Sequence, residues 1–544
     1  MGYLTFKWPG LTKRRYGDIL VRTCKSYKHG DQEIRESILW IEVLWSKIQA
    51  QLELLRKIWP SLDEDYQIHQ NSVLQVLHGK AQAAISLVDS VIGNSEESTV
   101  KTILSKKGEA RRLKYAIWVK NSLQNVLLDL KEWAEIFDVS WYLIIRQTSK
   151  EIDQELQPIA TNEDEPLSTL KGLRDAIKSN LVDEAEGEKS TVFLPSGLFE
   201  EDAIELSNSD AEIWRSADGQ LEYLVDPPSG LSTLADSCKL AKILQKVEPL
   251  KFGVLKCKGL VKVPPAASSP SRFVFSIPSD FAKPQYLRTM LMSGAESVPL
   301  DEKFEVAKQL AKAVMFIHSA GFVHKNIRPE TILILRSLDV DSLNTESFFA
   351  FLTGFENFRL AEGKTQYQGD NFWGRNLYRH PTRQGIRPED DYTMQHDIYS
   401  LGVCLLEIGI GSSLIISEGK VDSGKFSEEN DSKPSHLLQG AIDPSLKDQK
   451  KRAFAMKRWL VAMSKEQLPR RMGRKYTELV VTCLACLDRK DNSFGVESDF
   501  FDENGILVGV RFIEKVCLHG GQGKPLLIGI DLDSAPGVED LRAK

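Results

Sequence analysis

Apolar residues at Ile34, Ile38, Ile41, Trp45, Ile48, Leu52, Leu55 and Trp59 alternate spacings of four and three, and Pro60 closes the series. That period places them on one stripe of a single long helix, which must find a partner to bury it. Leu74, Leu77, Ala81, Ile85, Val88 and Ile92 mark a second helix. Leu113, Ala116, Leu123, Leu127, Leu130, Trp133 and Phe137 mark a third, with a shorter apolar segment at Trp141–Ile145. Long amphipathic helices joined by short connections pack antiparallel, so residues 1–150 are expected to form a helical bundle. No metal-ligand spacing or carboxylate pair inside it points to chemistry.

Residues 151–190 change character. They carry eleven acidic and four basic side chains, with Leu167, Leu170, Leu173, Ile177 and Leu181 as one short amphipathic helix between acidic patches. This reads as a linker with a brace helix. Beyond it the period moves towards two. Trp214–Tyr223 predicts two strands around Asp218-Gly219, and Val254–Val263 and Arg272–Ile277 are further strand candidates. From about 285 helices dominate again, and there is no internal repeat. With 544 residues, several domains are expected: an α+β multidomain chain, bundle first.

Charge and cysteine usage narrow the classes. The net charge of −6 argues against nucleic acid as a partner. Residues 1–30 nevertheless hold seven basic side chains (Lys7, Lys13, Arg14, Arg15, Arg22, Lys25, Lys28) against Asp18 alone, and 447–475 are again strongly basic. The seven cysteines (Cys24, Cys238, Cys257, Cys404, Cys483, Cys486, Cys517) form no disulfide framework. Cys483 and Cys486 make a lone CxxC in an apolar helical run, better explained by packing than by zinc. No apolar run reaches a membrane-spanning length. The start, Met1-Gly2-Tyr3-Leu4-Thr5-Phe6, lacks the hydroxyl residue a myristoylation signal wants and is not patterned as a secretory leader. The expectation is a reduced, cytoplasmic setting.

The most informative segment is Ile317-His318-Ser319-Ala320-Gly321-Phe322-Val323-His324-Lys325-Asn326-Ile327-Arg328-Pro329-Glu330-Thr331-Ile332-Leu333. It is followed by Phe351-Leu352-Thr353-Gly354-Phe355-Glu356, by Leu377-Tyr378-Arg379-His380-Pro381, and by Asp397-Ile398-Tyr399-Ser400-Leu401-Gly402-Val403. In this order and spacing the four pieces resemble the catalytic loop, metal-binding segment, activation-segment end and helix F start of protein kinases. The resemblance implies a bilobal kinase-like fold, with a smaller lobe over 191–280 and a larger one over 281–517. It also implies that His324 braces the loop and Asp397 anchors its backbone.

The same resemblance identifies the chemistry that is missing. The position of the catalytic carboxylate holds Asn326, an amide that is no base near neutral pH. Thr331 stands where an amide would hold a second Mg²⁺. Gly354 stands where an aspartate would hold the first, and Glu356 offers a carboxylate two residues late. Arg328 keeps a cation at the catalytic-loop lysine position. Pro381-Thr382 replaces the usual Pro-Glu, so that ion pair is lost. No glycine-rich phosphate loop occurs between 190 and 260, and Asp226 falls where the third-strand lysine is expected, leaving Lys239 or Lys242 as substitutes. The expectation is a pseudokinase: no catalytic residue, no metal, no cofactor, with weak metal-independent ATP binding still open. An active atypical kinase using Glu356 and a relocated lysine is the alternative enzyme reading.

The layout is similar to filamentous-fungal proteins that join a HeLo or HeLo-like helical domain to a divergent kinase domain. Residues 494–517 are similar to that group's C-terminal helix region, whereas 518–544 do not continue the pattern. The group implies incompatibility or cell-death signalling through self-association of residues 1–150 and protein partners. Basic residues 1–30 would meet an anionic membrane surface on activation. A scaffold without a switch is the alternative.

Overall fold

A computed structural model describes residues 18, 21, 32–93, 108–147, 149–158, 166–182, 192–195, 197–230, 232–262, 270–294, 298–338, 347–361, 363, 369–417, 432–441 and 446–488. The basic side chains expected to act in 1–30, the acidic patches at 163–165 and 183–188, and the segments 494–517 and 518–544 lie outside these residues. The chain forms two compact units, Met1–Lys171 and Gly172–Lys544.

In the first unit, α1 (Gln32–Ile58), α2 (Glu64–Gly93) and α3 (Gly108–Trp141) are the expected long helices, followed by α4 (Lys150–Leu156). Ile38, Ile41, Trp45, Ile48, Leu52 and Leu55 are buried along α1, as the spacing requires, and Pro60 sits in the 3₁₀ turn that ends it. Both α1 and α2 pack on α3. Trp133 of α3 is fully buried, stacks on Phe137 at 4.7 Å, and donates its indole N–H to Val73 O at 2.9 Å. Asp138 ties α3 to α1, 2.5 Å from Lys47 Nζ and 2.8 Å from Gln51 Nε2. The unit extends past residue 150 because Ile152 and Leu156 bury α4 against α1. The brace helix is α5 (Pro166–Val182).

The second unit opens with β1 (Phe199–Glu205), β2 (Glu212–Ser216), β3 (Glu222–Val225), α6 (Leu234–Leu244), α7 (Pro249–Phe252), β4 (Cys257–Lys262) and β5 (Ser271–Ser276). The strands form a curled antiparallel sheet of order β1-β2-β3-β5-β4. Gly219 takes φ +69° in the expected Asp218-Gly219 turn between β2 and β3. β1 is an addition to the expected set: Phe199-Glu200-Glu201-Asp202 breaks the alternation that reveals strands, and a register shift in its pairing with β2 matches that.

Next come β6 (Phe281–Tyr286), α8 (Leu287–Met292), α9 (Leu300–Ser319), β7 (Phe322–Val323), β8 (Ile332–Ser337), β9 (Phe348–Leu352), β10 (Arg359–Leu360) and α10 (Trp373–Leu377). α11 (Met394–Ile410), β11 (Ile415–Ser417), β12 (Ser432–Pro434), α12 (Gln449–Arg471) and α13 (Gly473–Leu484) complete it. Every residue of α11 is buried. Gly402 permits that, since a Cβ there would lie 2.8 Å from Cys483 Cβ on α13. Cys483 and Cys486 are both buried, so the CxxC packs against the core helix.

Trp133→Ala should cost about 3–5 kcal/mol, because it empties a fully buried aromatic site. Leu128→Ala on the same helix, 62% exposed, should change stability by about 0.5 kcal/mol or less. Guanidinium unfolding of the two variants followed by tryptophan fluorescence and circular dichroism checks the contrast.

Candidate functional site

The loop after α9 is held from below by one carboxylate. Asp397, in the first turn of α11 and fully buried, accepts from His324 N at 2.7 Å and lies 3.1 Å from His318 Nε2 through Oδ2. Its Oδ1 accepts from Lys325 N at 2.9 Å and Tyr392 Oη at 2.6 Å. Burial alone would push its carboxyl up; His318 and the other donors outweigh that and hold it below the usual range. The backbone so gripped carries Lys325 at φ +65°, a left-handed conformation a non-glycine residue keeps only when its surroundings impose it. His324 lies with Nε2 3.0 Å from Thr353 O and its ring edge-on to Phe355 at 4.8 Å. Burial lowers its pKa to about 4, so it stays neutral. His324 and Asp397 thus connect α11, the loop and the Gly354 segment.

Asn326, Arg328 and Glu356 come together. Asn326 Nδ2 donates to Glu356 Oε1 at 2.8 Å, and Asn326 Oδ1 accepts from Arg328 Nε at 3.0 Å. Arg328 Nη2 is 3.9 Å from the same Glu356 oxygen. Thr331 Oγ1 is turned into the loop, 2.7 Å from Asn326 O and 2.9 Å from Arg328 O, and accepts from Arg328 N at 3.2 Å. Gly354 has φ +77°, and a Cβ there would fall 2.4 Å from Thr331 Cγ2. No side chain fits at that position while Thr331 keeps its place. Phe355 is fully buried between His324 and Phe273 and Phe275 of β5, its ring 5.9 Å from each of the latter.

Asp226, expected only as a misplaced residue where a cation belongs, holds this segment from above. It follows β3, is fully buried, and its Oδ2 accepts from Gly354 N at 2.9 Å and Phe355 N at 2.8 Å. Its Oδ1 has no hydrogen-bond partner. Burial raises its pKa to about 7, against the lowering effect of the two amides. Gly230 N donates to Glu356 O at 3.0 Å, and Ser232 Oγ to Phe358 O at 2.7 Å, so the segment after Asp226 follows the Gly354 segment closely. Neither Lys239 nor Lys242 is among the residues lining this cleft.

The β1–β2 turn reaches down to the same place. Ser209 Oγ donates to Glu330 O at 3.3 Å, and Asn208 Nδ2 to Thr289 Oγ1 at 3.0 Å. The remaining cleft, bounded by Asp210, Asp226, Arg328, Glu330 and Glu356 among others, has room for about one water molecule. Its lining carries the carboxyl groups of Asp210, Asp226, Glu330 and Glu356 beside the Arg328 guanidinium, with Glu330 also bonded to Arg288. Among the described residues no three His, Cys, Asp or Glu side chains converge to hold a metal ion.

A second network, with no sequence signal, ties these parts together. Fully buried Arg288 of α8 donates from Nε to Glu330 Oε1 at 2.8 Å, from Nη1 to Glu407 Oε1 at 3.1 Å and to Ser413 Oγ, and from Nη2 to Tyr378 Oη at 2.6 Å. Tyr378 Oη donates to Glu407 Oε2 at 2.7 Å. The activation-like segment is therefore tied to α11 through Tyr378, while Thr382, in place of the usual glutamate, bonds locally to His380.

Asp226 gives a pH test. Unfolded, its carboxyl titrates near the ordinary 3.8; folded, near 7. The native state therefore favours the protonated form, and that contribution to stability is full below about pH 4 and is lost progressively as pH rises from there through about 7. Asp226→Asn, which keeps an acceptor for the two amides, should stand closest to the wild type in melting temperature at acid pH, and its margin over the wild type should widen by several degrees between pH 5 and pH 8. An equal offset at both values would contradict the assignment.

No family model matches the chain. It is 26% identical over 168 residues to an Arabidopsis thaliana protein kinase and PP2C-like domain-containing protein, covering 28% of this chain and 23% of that one. It is 35% identical over 75 residues to the Candida glabrata serine/threonine-protein kinase PTK2, covering 14% of this chain and 9% of that one. The chain thus spans about a quarter or less of the length of these curated relatives, and the similarity supports a kinase-like domain.

Proposed function

We propose that this protein is a pseudokinase, a kinase-like protein that transfers no phosphate and signals by binding. The observation that carries this reading is the side chain of Asn326. It stands where a kinase-like loop needs a carboxylate, and both its ends are engaged, by Glu356 and by Arg328. An amide neither accepts the substrate proton nor positions a hydroxyl by charge, and positioning and charge do nearly all the work of phosphoryl transfer. Glu356, the one carboxylate an atypical kinase could recruit, is the acceptor of that same amide. The carboxyl groups that line the small cleft beside Asn326 support the reading further.

The kinase-like unit then serves to restrain or release the helical unit that precedes it. Following the likeness of the layout to HeLo-containing fungal proteins, the setting is incompatibility or cell-death signalling in the cytoplasm. Residues 1–150 self-associate on release, and the basic residues of 1–30 bring the chain to an anionic membrane surface. No helix among the described residues is long and apolar enough to cross a membrane, so contact in this reading is peripheral.

Radiolabelled ATP with generic protein substrates should give background transfer only. Asn326→Asp combined with Gly354→Asp should still give background and should melt below the wild type, because a Cβ at 354 lies 2.4 Å from Thr331 Cγ2. ATP should produce the same small melting shift, or none, with and without Mg²⁺. Metal-dependent phosphate transfer by the purified wild type would overturn the proposal.

A further inference from the structure

Two carboxyl oxygens in the cleft beside Asn326 are buried and without a hydrogen-bond partner, Oδ1 of Asp226 and Oε2 of Glu330. Asp210 and Glu356 line the same cleft, which has room for about one water molecule. Arg272 of β5 donates from Nε to Asp226 O at 2.8 Å and from Nη1 to Glu212 at 3.0 Å, so that cation serves a backbone carbonyl and another carboxylate. Cys257 of β4 and Tyr286 at the end of β6 lie near Asp226 as neutral groups, and its charge opposes their ionisation. Arg328, across the cleft, is bonded to Asn326 and lies beside Glu356. Burial, with the like charge of Glu356, accordingly raises the Asp226 pKa to about 7 against the two amides and Arg272.

The walls of this cleft are not equally firm. Asp397 grips the loop that carries Asn326, and the Gly354 segment hangs from Asp226 Oδ2 through two amides. The turn between β1 and β2, residues 206–211, is an exposed wall, with Ser207 and Asp210 open to solvent and Asn208 at φ +59°. Asn208 Nδ2 donates to Thr289 Oγ1 of α8 at 3.0 Å, and Thr289 Oγ1 donates to Ser207 O at 3.1 Å. Ser209 Oγ donates to Glu330 O at 3.3 Å. These ties are neutral hydrogen bonds, weaker than the charge-assisted ones that hold the other walls.

We propose that the β1–β2 turn is a proton-controlled lid, which stays closed over the cleft while Asp226 carries its proton and opens more often once that carboxyl ionises. A charge on Oδ1 has no partner inside and no room for a hydration shell, and Asp210, Glu330 and Glu356 line the same small space. Water reaches it most cheaply by release of the turn, which also carries Asp210 away. The Gly354 segment stays, because its amides hold a carboxylate more strongly than a carboxylic acid. Acidification thus tightens the cleft, and neutral pH admits solvent to it. This holds whether or not the unit transfers phosphate.

The test is amide hydrogen exchange of the full-length chain, read as protection factors over residues 206–211 from pH 5.5 to pH 8.5. The Asp226 carboxyl titrates near the ordinary 3.8 when solvated and near 7 when enclosed. Opening therefore gains about tenfold per pH unit up to about 7 and then levels off, so protection of the turn should fall about thirtyfold over the range. Gly354 and Phe355 should keep theirs. Asp226→Asn should abolish the dependence and hold the turn at its acid protection. Thr289→Val, which removes both bonds to α8 and leaves Asp226 in place, should lower protection of the turn at pH 5.5 about tenfold. Protection of the turn that ignores pH in the wild type, an equal fall in Asp226→Asn, or unchanged protection in Thr289→Val would each overturn the proposal. Loss of protection at Gly354 and Phe355 in step with the turn would overturn it too, since the whole unit would then be loosening.

Discussion

The carboxylate of Asp226, accepting the amides of Gly354 and Phe355, is the contact from which the site's arrangement follows. Two amides converging on one oxygen fix the backbone turn at Gly354. That turn, at φ +77°, sets Gly354 against Thr331, swings Phe355 under β5, and aims Glu356 at Asn326. Asp397 performs the matching task beneath, holding the amides of His324 and Lys325. One carboxylate from the sheet side and one from the helical core thus clamp two short loops face to face.

The energetics explain what holds this site in one arrangement. An isolated buried charge is costly, and removing one partner of a buried pair strands the other. Asn326, Arg328 and Glu356 satisfy one another, and Arg288 serves two carboxylates and a phenol at once. Such networks add rigidity and specify one packing more than they add stability. A kinase-like unit built this way is suited to presenting fixed surfaces.

How much of this was legible in the sequence differs from element to element. The α1 stripe was readable because helical periodicity is local, and Ile38 through Leu55 bury where the spacing puts them. The strands around Asp218-Gly219 were readable because that turn demands a particular residue, whereas β1 was hidden by its glutamates. Asn326, Thr331 and Gly354 were singled out as absences, but what fills the space was not accessible. Asp226 looked like a lost lysine, and its two partners stand 128 and 129 residues away in the chain. Arg288 gave no signal at all, since its meaning depends on Glu407, 119 residues on. Long-range pairing of single side chains has no period to read.

The most direct measurement is hydrogen exchange at the Gly354 and Phe355 amides, alone and with Mg²⁺–ATP. With both amides bonded to a buried carboxylate, exchange should be slow and unchanged by nucleotide and metal together. Deprotection or added protection of these amides that requires Mg²⁺–ATP would show the site opening to its cosubstrate, and would contradict the account.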